Sequence, residues 1–120
     1  MSPLVFALAA ACGGLGAAVR YLIDIGIAHL TRSRFPWGVL VINITGSLLL
    51  GLVVGMLPDA VFVIGAGFLG GYTTFSTAMI DAILLWRAGE RRAAVVDVIG
   101  MLVLSLAAAL VGLGAGSALG

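Results

Sequence analysis

Four long apolar segments follow one another along the chain, with short polar stretches between them. They cover approximately residues 3–30, 35–57, 60–85 and 93–119. Because a helix needs roughly 20 apolar residues to cross the hydrocarbon core of a bilayer, each segment is long enough to span it. The pattern therefore predicts an all-α membrane protein, a single domain of four transmembrane helices over residues 1–120.

Helix-boundary signals stand at the ends of these segments. Ser2 and Pro3 are typical of an N-cap and a first helical turn, and Pro58 marks a short stop and restart between the second and third segments. Connections this short predict antiparallel neighbours. Trp37 and Trp86 lie near segment ends, where amphipathic rings favour the membrane interface.

The third segment contains residues that a continuous membrane helix disfavours. Its run Gly70–Thr77 reads GGYTTFST. Paired glycines weaken a helix through backbone entropy and threonine hydroxyls compete for backbone groups, so we expect the helix to break near Gly70–Thr74. Non-helical backbone at membrane depth survives only against protein or water. The run therefore indicates a buried ion or substrate site.

Composition agrees with a membrane protein and limits the partners that we expect for it. The chain is 62% hydrophobic and 9% charged, which excludes a soluble domain and predicts contact with membrane lipid. All six cations are arginines and the formal net charge is +1, so nucleic acid is not an expected partner. The single cysteine, Cys12, excludes an intrachain disulfide and is interpreted as a packing residue.

The arginines predict an orientation in the membrane. The connections that carry them are the first, with Arg32 and Arg34, and the last, with Arg87, Arg91 and Arg92. With four spans both connections lie on one side, and the opposite side has no arginine or lysine in its loop or tails. The positive-inside rule therefore predicts one fixed orientation with both termini outside the cytoplasm.

Small residues recur four positions apart in every segment, a spacing that favours close helix packing in lipid. The pairs are Gly13 with Ala17, Gly51 with Gly55, Gly67 with Gly71, and Gly112 with Gly116. Four short helices can hardly enclose an aqueous path alone, so the surplus of glycine faces predicts a second subunit.

Polar side chains at membrane depth are the candidate functional groups. Asn43, with Ser47 one turn away, either bonds a neighbouring helix or serves as an amide donor to an anion. Phe75 either packs in the bundle or, with Ser76, turns its positive ring edge to a small anion. Ser105 could continue this polar track, while carbonyls freed at residues 70–73 suit a hard cation such as sodium.

Arg20 and Asp24 lie one helical turn apart in the first segment. They either form an interfacial ion pair or place Arg20 in the vestibule of an ion path. Enzyme chemistry has no support, since we find no carboxylate pair at membrane depth and the lone His29 has no partner for a nucleophilic relay.

Three stretches, in this order, resemble the fluoride channel family called Fluc or CrcB. They are Gly13–Tyr21 (GGLGAAVRY), Trp37–Ser47 (WGVLVINITGS) and Gly70–Thr77 (GGYTTFST), of which the last two are specific. The resemblance covers nearly the whole chain. It implies a passive channel in the plasma membrane of a bacterial-type cell, which exports cytoplasmic fluoride and so relieves fluoride toxicity.

The resemblance also implies an assembly and a set of site residues. Members of the family are antiparallel dimers with two fluoride pores and a structural sodium ion at the dimer centre. The matching residues are Asn43, Phe75, Ser76 and, less directly, Ser105 for the pore, and the backbone carbonyls of Gly70 and Thr73 for sodium.

Two positions depart from the family pattern. Ala78 stands where a second phenylalanine is usual and Met101 aligns with a usual tyrosine, so the pore loses two aromatic groups. Antiparallel homodimers need chains that insert both ways, whereas the arginines here favour one orientation. We therefore expect one half of a heterodimer, whose partner is a second family member with the opposite charge bias and the missing aromatic groups.

Two other functions stay open at this stage. The first is a non-conducting or partly degenerate structural subunit, which would agree with the loss of aromatic groups at Ala78 and Met101. A small multidrug transporter has a similar size and span count, but proton-coupled export needs an intramembrane glutamate. The one glutamate, Glu90, is expected in a loop.

Overall fold

A computed structural model describes residues 2–33 and 35–120 of the chain. The helices are α1 (Pro3–Thr31), α2 (Trp37–Met56), α3 (Val61–Leu69, π-helical, continued by Gly70–Tyr72), α4 (Ser76–Arg87) and α5 (Arg91–Leu119). A 3₁₀ turn, Pro58–Ala60, joins α2 to α3. Four stretches are long and apolar enough to cross a membrane: Pro3–Thr31, Trp37–Met56, Pro58–Arg87 and Arg91–Leu119. The predicted all-α class with four spans is confirmed.

Local sequence accounts for the start of α1. The hydroxyl of Ser2 accepts a hydrogen bond from the Val5 amide at 3.2 Å, and Pro3 occupies the first turn, where its missing N–H costs no hydrogen bond. The helix ends at Thr31, and its C-cap residue, Arg32, has a left-handed φ of 48°. The predicted N-cap is therefore confirmed.

The α2–α5 pair packs through its glycines. A Cβ added to Gly51 would overlap the Ala109 carbonyl oxygen, and one added to Gly112 would overlap that of Leu48. Gly55 and Gly116 also approach the partner helix closely, one turn further along. Backbones come this near only where side chains are absent, so the predicted role of these pairs in helix packing is confirmed.

Glycines also set the approach of α1 to α3. A Cβ on Gly16 would overlap the Phe68 carbonyl oxygen, and one on Gly71 would overlap that of Gly13. Gly67 lies similarly close to Ala9. These faces are thus covered within one chain. Other glycines, Gly14, Gly100 and Gly114 among them, have open space beside them. The second subunit that surplus glycine faces suggested stays a prediction.

The two arginine-bearing connections lie at the same end of the bundle, as predicted. A cleft of about 590 Å³ is lined by Phe35 and Trp37 from one connection and by Glu90, Arg91 and Arg92 from the other. Arg34, one of the arginines used to predict orientation, lies outside the described residues. Which side of the membrane this end faces remains a prediction.

Candidate ion site between α3 and α4

The third span changes its backbone course at two threonines. Helical backbone stops at Tyr72, Thr73 is extended with φ −79° and ψ 159°, and α4 begins at Ser76. Both the amide and the hydroxyl of Thr73 donate to the Leu69 carbonyl oxygen at 2.9 Å, which closes the end of α3. The Thr74 hydroxyl accepts from the Thr77 amide at 3.2 Å and caps α4.

Asn43 of α2 bonds to both backbone groups of Thr74 in this segment. Its Nδ2 donates to the Thr74 carbonyl oxygen at 2.8 Å, and its Oδ1 accepts from the Thr74 amide at 2.9 Å. Nδ2 also donates to Sδ of Met101 on α5 at 3.1 Å. Of the two roles left open for this amide, the structure shows the hydrogen bonds to neighbouring segments.

A cavity of about 780 Å³ lies beside Asn43, between α2, the α3–α4 segment and α5. It is lined by most of the residues that the sequence singled out: Asn43, Ser47, Gly70, Thr73, Phe75, Ala78, Met101 and Ser105. The Ser105 hydroxyl is buried and has no hydrogen-bond partner in the part of the chain that the structure describes. An unpartnered buried hydroxyl beside a cavity is a group available to a bound ion or water.

Two of the predicted pore residues are not enclosed by this chain. Phe75 borders the cavity, but its side chain is 78% exposed, so the protomer leaves the ring largely uncovered. Ser76 is exposed at the first position of α4 and does not line the cavity. The protomer therefore brings Asn43 and Ser105 together and leaves Phe75 and Ser76 at the surface.

Arg20 supports the site from α1 without lining the cavity. Its Nε donates to the Gly71 carbonyl oxygen at 3.3 Å, near the end of α3, where a cation complements the negative end of the helix dipole. Asp24 instead lies against Gly38, where an added Cβ would overlap the carboxylate. Of the two interpretations of Arg20, the ion pair with Asp24 is not formed among the described residues.

The carbonyl oxygens of Gly70 and Thr73 lie where α3 ends. Neither accepts a hydrogen bond from the loop or side-chain donors within residues 2–33 and 35–120, whereas the Gly71 oxygen between them is taken by Arg20. The Tyr72 hydroxyl is held by Thr45 Oγ1 at 2.9 Å, which ties this end of α3 to α2. Carbonyl oxygens without such donors at the end of a membrane helix suit a hard monovalent cation.

Sequence reasoning missed one buried acidic group near this site. Asp97 of α5 is 1% exposed, and neither carboxylate oxygen has a hydrogen-bond partner within the described residues. It lies one turn before Met101, close enough to Asp81 of α4 for their charges to interact. Both aspartates lie within helices that are long and apolar enough to span a membrane, each six residues from the arginine-bearing end. The signal available in the sequence was an acidic residue inside an apolar segment.

These features define a small multi-pass helical membrane protein with a partly polar cavity where α3 meets α4. The family model described as CrcB-like protein, Camphor Resistance (CrcB), matches residues 7–113. The chain belongs to this family, which confirms the resemblance drawn from its three sequence stretches.

Relatives in the family carry a common name. The chain is 49% identical to Fluoride-specific ion channel FluC 1 of Nitrobacter hamburgensis, over 90% of this chain and 92% of that protein. It is 43% identical to FluC 1 of Leifsonia xyli subsp. xyli (94% and 87%) and 42% identical to FluC 1 of Rubrobacter xylanophilus (98% and 97%). These names are those of ion channels, not enzymes, which agrees with the prediction that this chain is not an enzyme.

Proposed function

We propose that this protein is a passive, fluoride-selective channel that exports cytoplasmic fluoride across the plasma membrane of a bacterial-type cell and so relieves fluoride toxicity. The names of its relatives support fluoride as the transported ion. One structural observation carries the proposal for this chain: the cavity beside the α3–α4 segment contains the unpartnered buried hydroxyl of Ser105 and borders the ring of Phe75.

The cavity offers an anion several weak contacts and no cationic side chain among the described residues. Its lining contains no arginine, lysine or histidine among the described residues. Hydroxyl donors at Ser47 and Ser105, the positive ring edge of Phe75 and the positive end of α4, which begins at Ser76, all favour a small anion. Contacts of this strength permit entry and release, whereas a buried ammonium would hold fluoride too tightly for rapid passage.

The sodium ion expected at the centre of the assembly remains a proposal. The Gly70 and Thr73 carbonyl oxygens would hold it. Within residues 2–33 and 35–120 neither accepts a hydrogen bond from a loop or side-chain donor, which agrees with that use. A bound sodium ion supplies a fixed positive charge that gathers carbonyl dipoles from different segments. One chain offers two such oxygens, so a second chain is needed to complete a coordination shell.

An antiparallel dimer is proposed for the same reason. The Phe75 ring is 78% exposed and borders the cavity, so a partner that covers this face would enclose both. The one-sided arginines favour a partner of opposite orientation that is a second member of the family. Lipid covers the remaining apolar surface of the four spans.

A partly degenerate structural subunit remains the second candidate, and a specific observation favours it. Ala78 is 1% exposed and Met101 is 8% exposed, and both pack with Val39 and Leu40 of α2. The two positions that depart from the family pattern are thus part of the apolar core of this chain. A pore that needs aromatic groups there must obtain them from the partner.

Fluoride efflux from liposomes tests the proposal. Vesicles loaded with potassium fluoride are opened with valinomycin, and fluoride release is followed with an electrode for this chain alone and with an oppositely biased family member. Potassium chloride vesicles are the selectivity control. Fluoride release without chloride release is expected in at least one of the two preparations. Absence of fluoride release from both would contradict the channel function.

The two candidates are separated in the mixed dimer. Phe75→Ile in this chain alone should lower fluoride release if its own pore conducts. Unchanged release, with the partner's pore intact, would favour the structural subunit.

A further inference from the structure

We propose that the cleft at the arginine-bearing end of the bundle binds the phosphate of an anionic phospholipid headgroup, which Arg91 and Arg92 hold. The cleft lies between the first and the last connection, and its volume of about 590 Å³ falls within the roughly 300–1,000 Å³ that is usual for small-molecule sites. It shares no lining residue with the cavity beside Asn43. The proposal therefore concerns a second site, outside the ion path.

Helix length places the cleft at the membrane surface. Residues 98–119 of α5 contain no charged side chain and extend over about 33 Å at roughly 1.5 Å per residue, enough to fill a hydrocarbon core of about 30 Å. Arg91 and Arg92, at the start of α5, therefore lie beyond the core. The other helix at the cleft, α2, begins at Trp37, a residue type that favours the interface. The cleft thus lies at the depth of the lipid phosphates.

The guanidinium group of Arg91 is positioned without the use of an oxygen acceptor. Its central carbon lies over the Trp86 ring, 5.0 Å from the ring centroid, and is attracted by the ring face. Neither Arg91 nor Arg92 donates a side-chain hydrogen bond or forms an ion pair within residues 2–33 and 35–120. Because a guanidinium presents a planar fork of N–H donors, which matches two phosphate oxygens, both side chains offer donors that suit a phosphate.

The start of α5 adds backbone donors beside these arginines. Glu90 is the N-cap residue, but its side chain makes no capping hydrogen bond. The first amide of α5 that has an acceptor in the described part of the chain is that of Ala94, which donates to the Glu90 carbonyl oxygen at 3.0 Å. The amides of residues 91–93 precede it, and free amides at a helix start support a phosphate that the arginines have bound.

The walls of the cleft favour a lipid over a free phosphate ion. Phe35 and Trp37 line it with ring centroids 4.6 Å apart, and Val96 lines it from α5. Apolar walls gain from contact with glycerol and acyl carbons, whereas a free phosphate ion is better solvated in water. Two arginines against one carboxylate, Glu90, give the described lining a net positive charge, which favours an anionic over a zwitterionic lipid.

Tryptophan fluorescence tests the site in a bilayer. Both tryptophans of the chain report on this end, since Trp37 lines the cleft and Trp86 lies under Arg91. The full chain is reconstituted in phosphatidylcholine vesicles, and part of the lipid is replaced by phosphatidylglycerol or by phosphatidylcholine with brominated chains, which quench tryptophan on contact. The parent should prefer phosphatidylglycerol by about fivefold or more, the factor for one arginine near an anionic surface. Equal quenching by the two lipids would overturn the proposal.

Matched pairs of substitutions separate the cleft from the general surface charge of this end. Arg91→Gln combined with Arg92→Gln removes the side-chain donors of the lining, so the preference for phosphatidylglycerol should disappear. Arg32→Gln combined with Arg87→Gln removes the same charge from residues that do not line the cleft, and most of the preference should remain. All four arginines are exposed, so we expect both variants to fold. Equal losses in the two variants would assign the preference to diffuse charge and overturn the site.

Native mass spectrometry of the parent protein identifies the source of the phosphate and needs no variant. After purification in a nonionic detergent with added phosphatidylglycerol, each chain should retain one lipid molecule, and an excess of inorganic phosphate should not displace it. Displacement by inorganic phosphate would show that the cleft binds the free ion and would overturn the lipid assignment. A parent protein that retains no phosphatidylglycerol would contradict the site itself.

Discussion

Arg20 on α1 donates a hydrogen bond from Nε to the carbonyl oxygen of Gly71, 51 residues further along the chain, over 3.3 Å. The contact ties the first span to the end of α3. It also removes the Gly71 oxygen from the set of free carbonyls, so that Gly70 and Thr73 on either side remain available. Arg20 thus holds α1 against the end of α3 and leaves the carbonyl oxygens of Gly70 and Thr73 without this donor.

Replacing this arginine should loosen the end of α3. Arg20→Met keeps much of the apolar stem and removes the guanidinium. We therefore expect the free energy of unfolding to fall by about 1.5 kcal/mol, the low end for a hydrogen bond from a charged group, because this one is long and only partly buried. Unfolding in detergent by a chemical denaturant measures the change. Arg32→Met, in the exposed first connection, is the control and should have little effect; equal losses would argue against a specific role for Arg20.

Ser105→Ala should separate transport from stability. The hydroxyl has no partner among the described residues, so its removal costs the fold no hydrogen bond, while an anion in the cavity loses one donor. Fluoride flux at low concentration should fall about tenfold with unfolding unchanged. Ser117→Ala, near the end of the same helix and exposed, should leave both quantities unaltered. Full flux in Ser105→Ala would remove this hydroxyl from the path.

The α2–α5 contact should tolerate no added methyl group at its closest point. A Cβ at position 112 meets the Leu48 carbonyl, a backbone atom that cannot rotate away, so Gly112→Ala should destabilise the chain by about 1–3 kcal/mol. Position 114, two residues on, has open space around it. Gly114→Ala is therefore the matched control, and denaturant unfolding should leave it unchanged or slightly more stable. Similar losses in both would show that helix propensity, not packing, dominates.

Neutralising Asp97 should stabilise the protein. The carboxylate is buried without a hydrogen-bond partner in the described part of the chain and interacts with another acidic side chain, Asp81. A neutral amide of the same shape avoids the cost of burying charge, so Asp97→Asn should raise the unfolding free energy at pH 7.5 by about 1 kcal/mol or more. Glu90→Gln, exposed in the last connection, is the control. A destabilised Asp97→Asn protein would indicate that the charge has a partner.

Much of the architecture followed from local sequence. Span number and type follow from runs of apolar residues, because a bilayer demands roughly 20 of them in helical form. The Ser2 cap depends on residues within one turn, and the close-packing role of Gly51 and Gly112 depends on their lack of a side chain. The threonines that close α3 and cap α4, Thr73 and Thr74, act on residues at most four positions away.

Tertiary structure decided which groups meet. Asn43 bonds to residues 31 and 58 positions away, and whether its amide faced an ion or a neighbouring segment depended on how α2, the α3–α4 segment and α5 pack together. The spacing of Arg20 and Asp24 permitted an ion pair that the fold does not make. Which glycine faces are covered within the chain, as at Gly16 and Gly112, and which stay open, as at Gly14 and Gly114, was likewise decided by the fold. A periodic pattern determines which face of a helix is small or polar, but the partner of that face is determined only when distant helices come into contact.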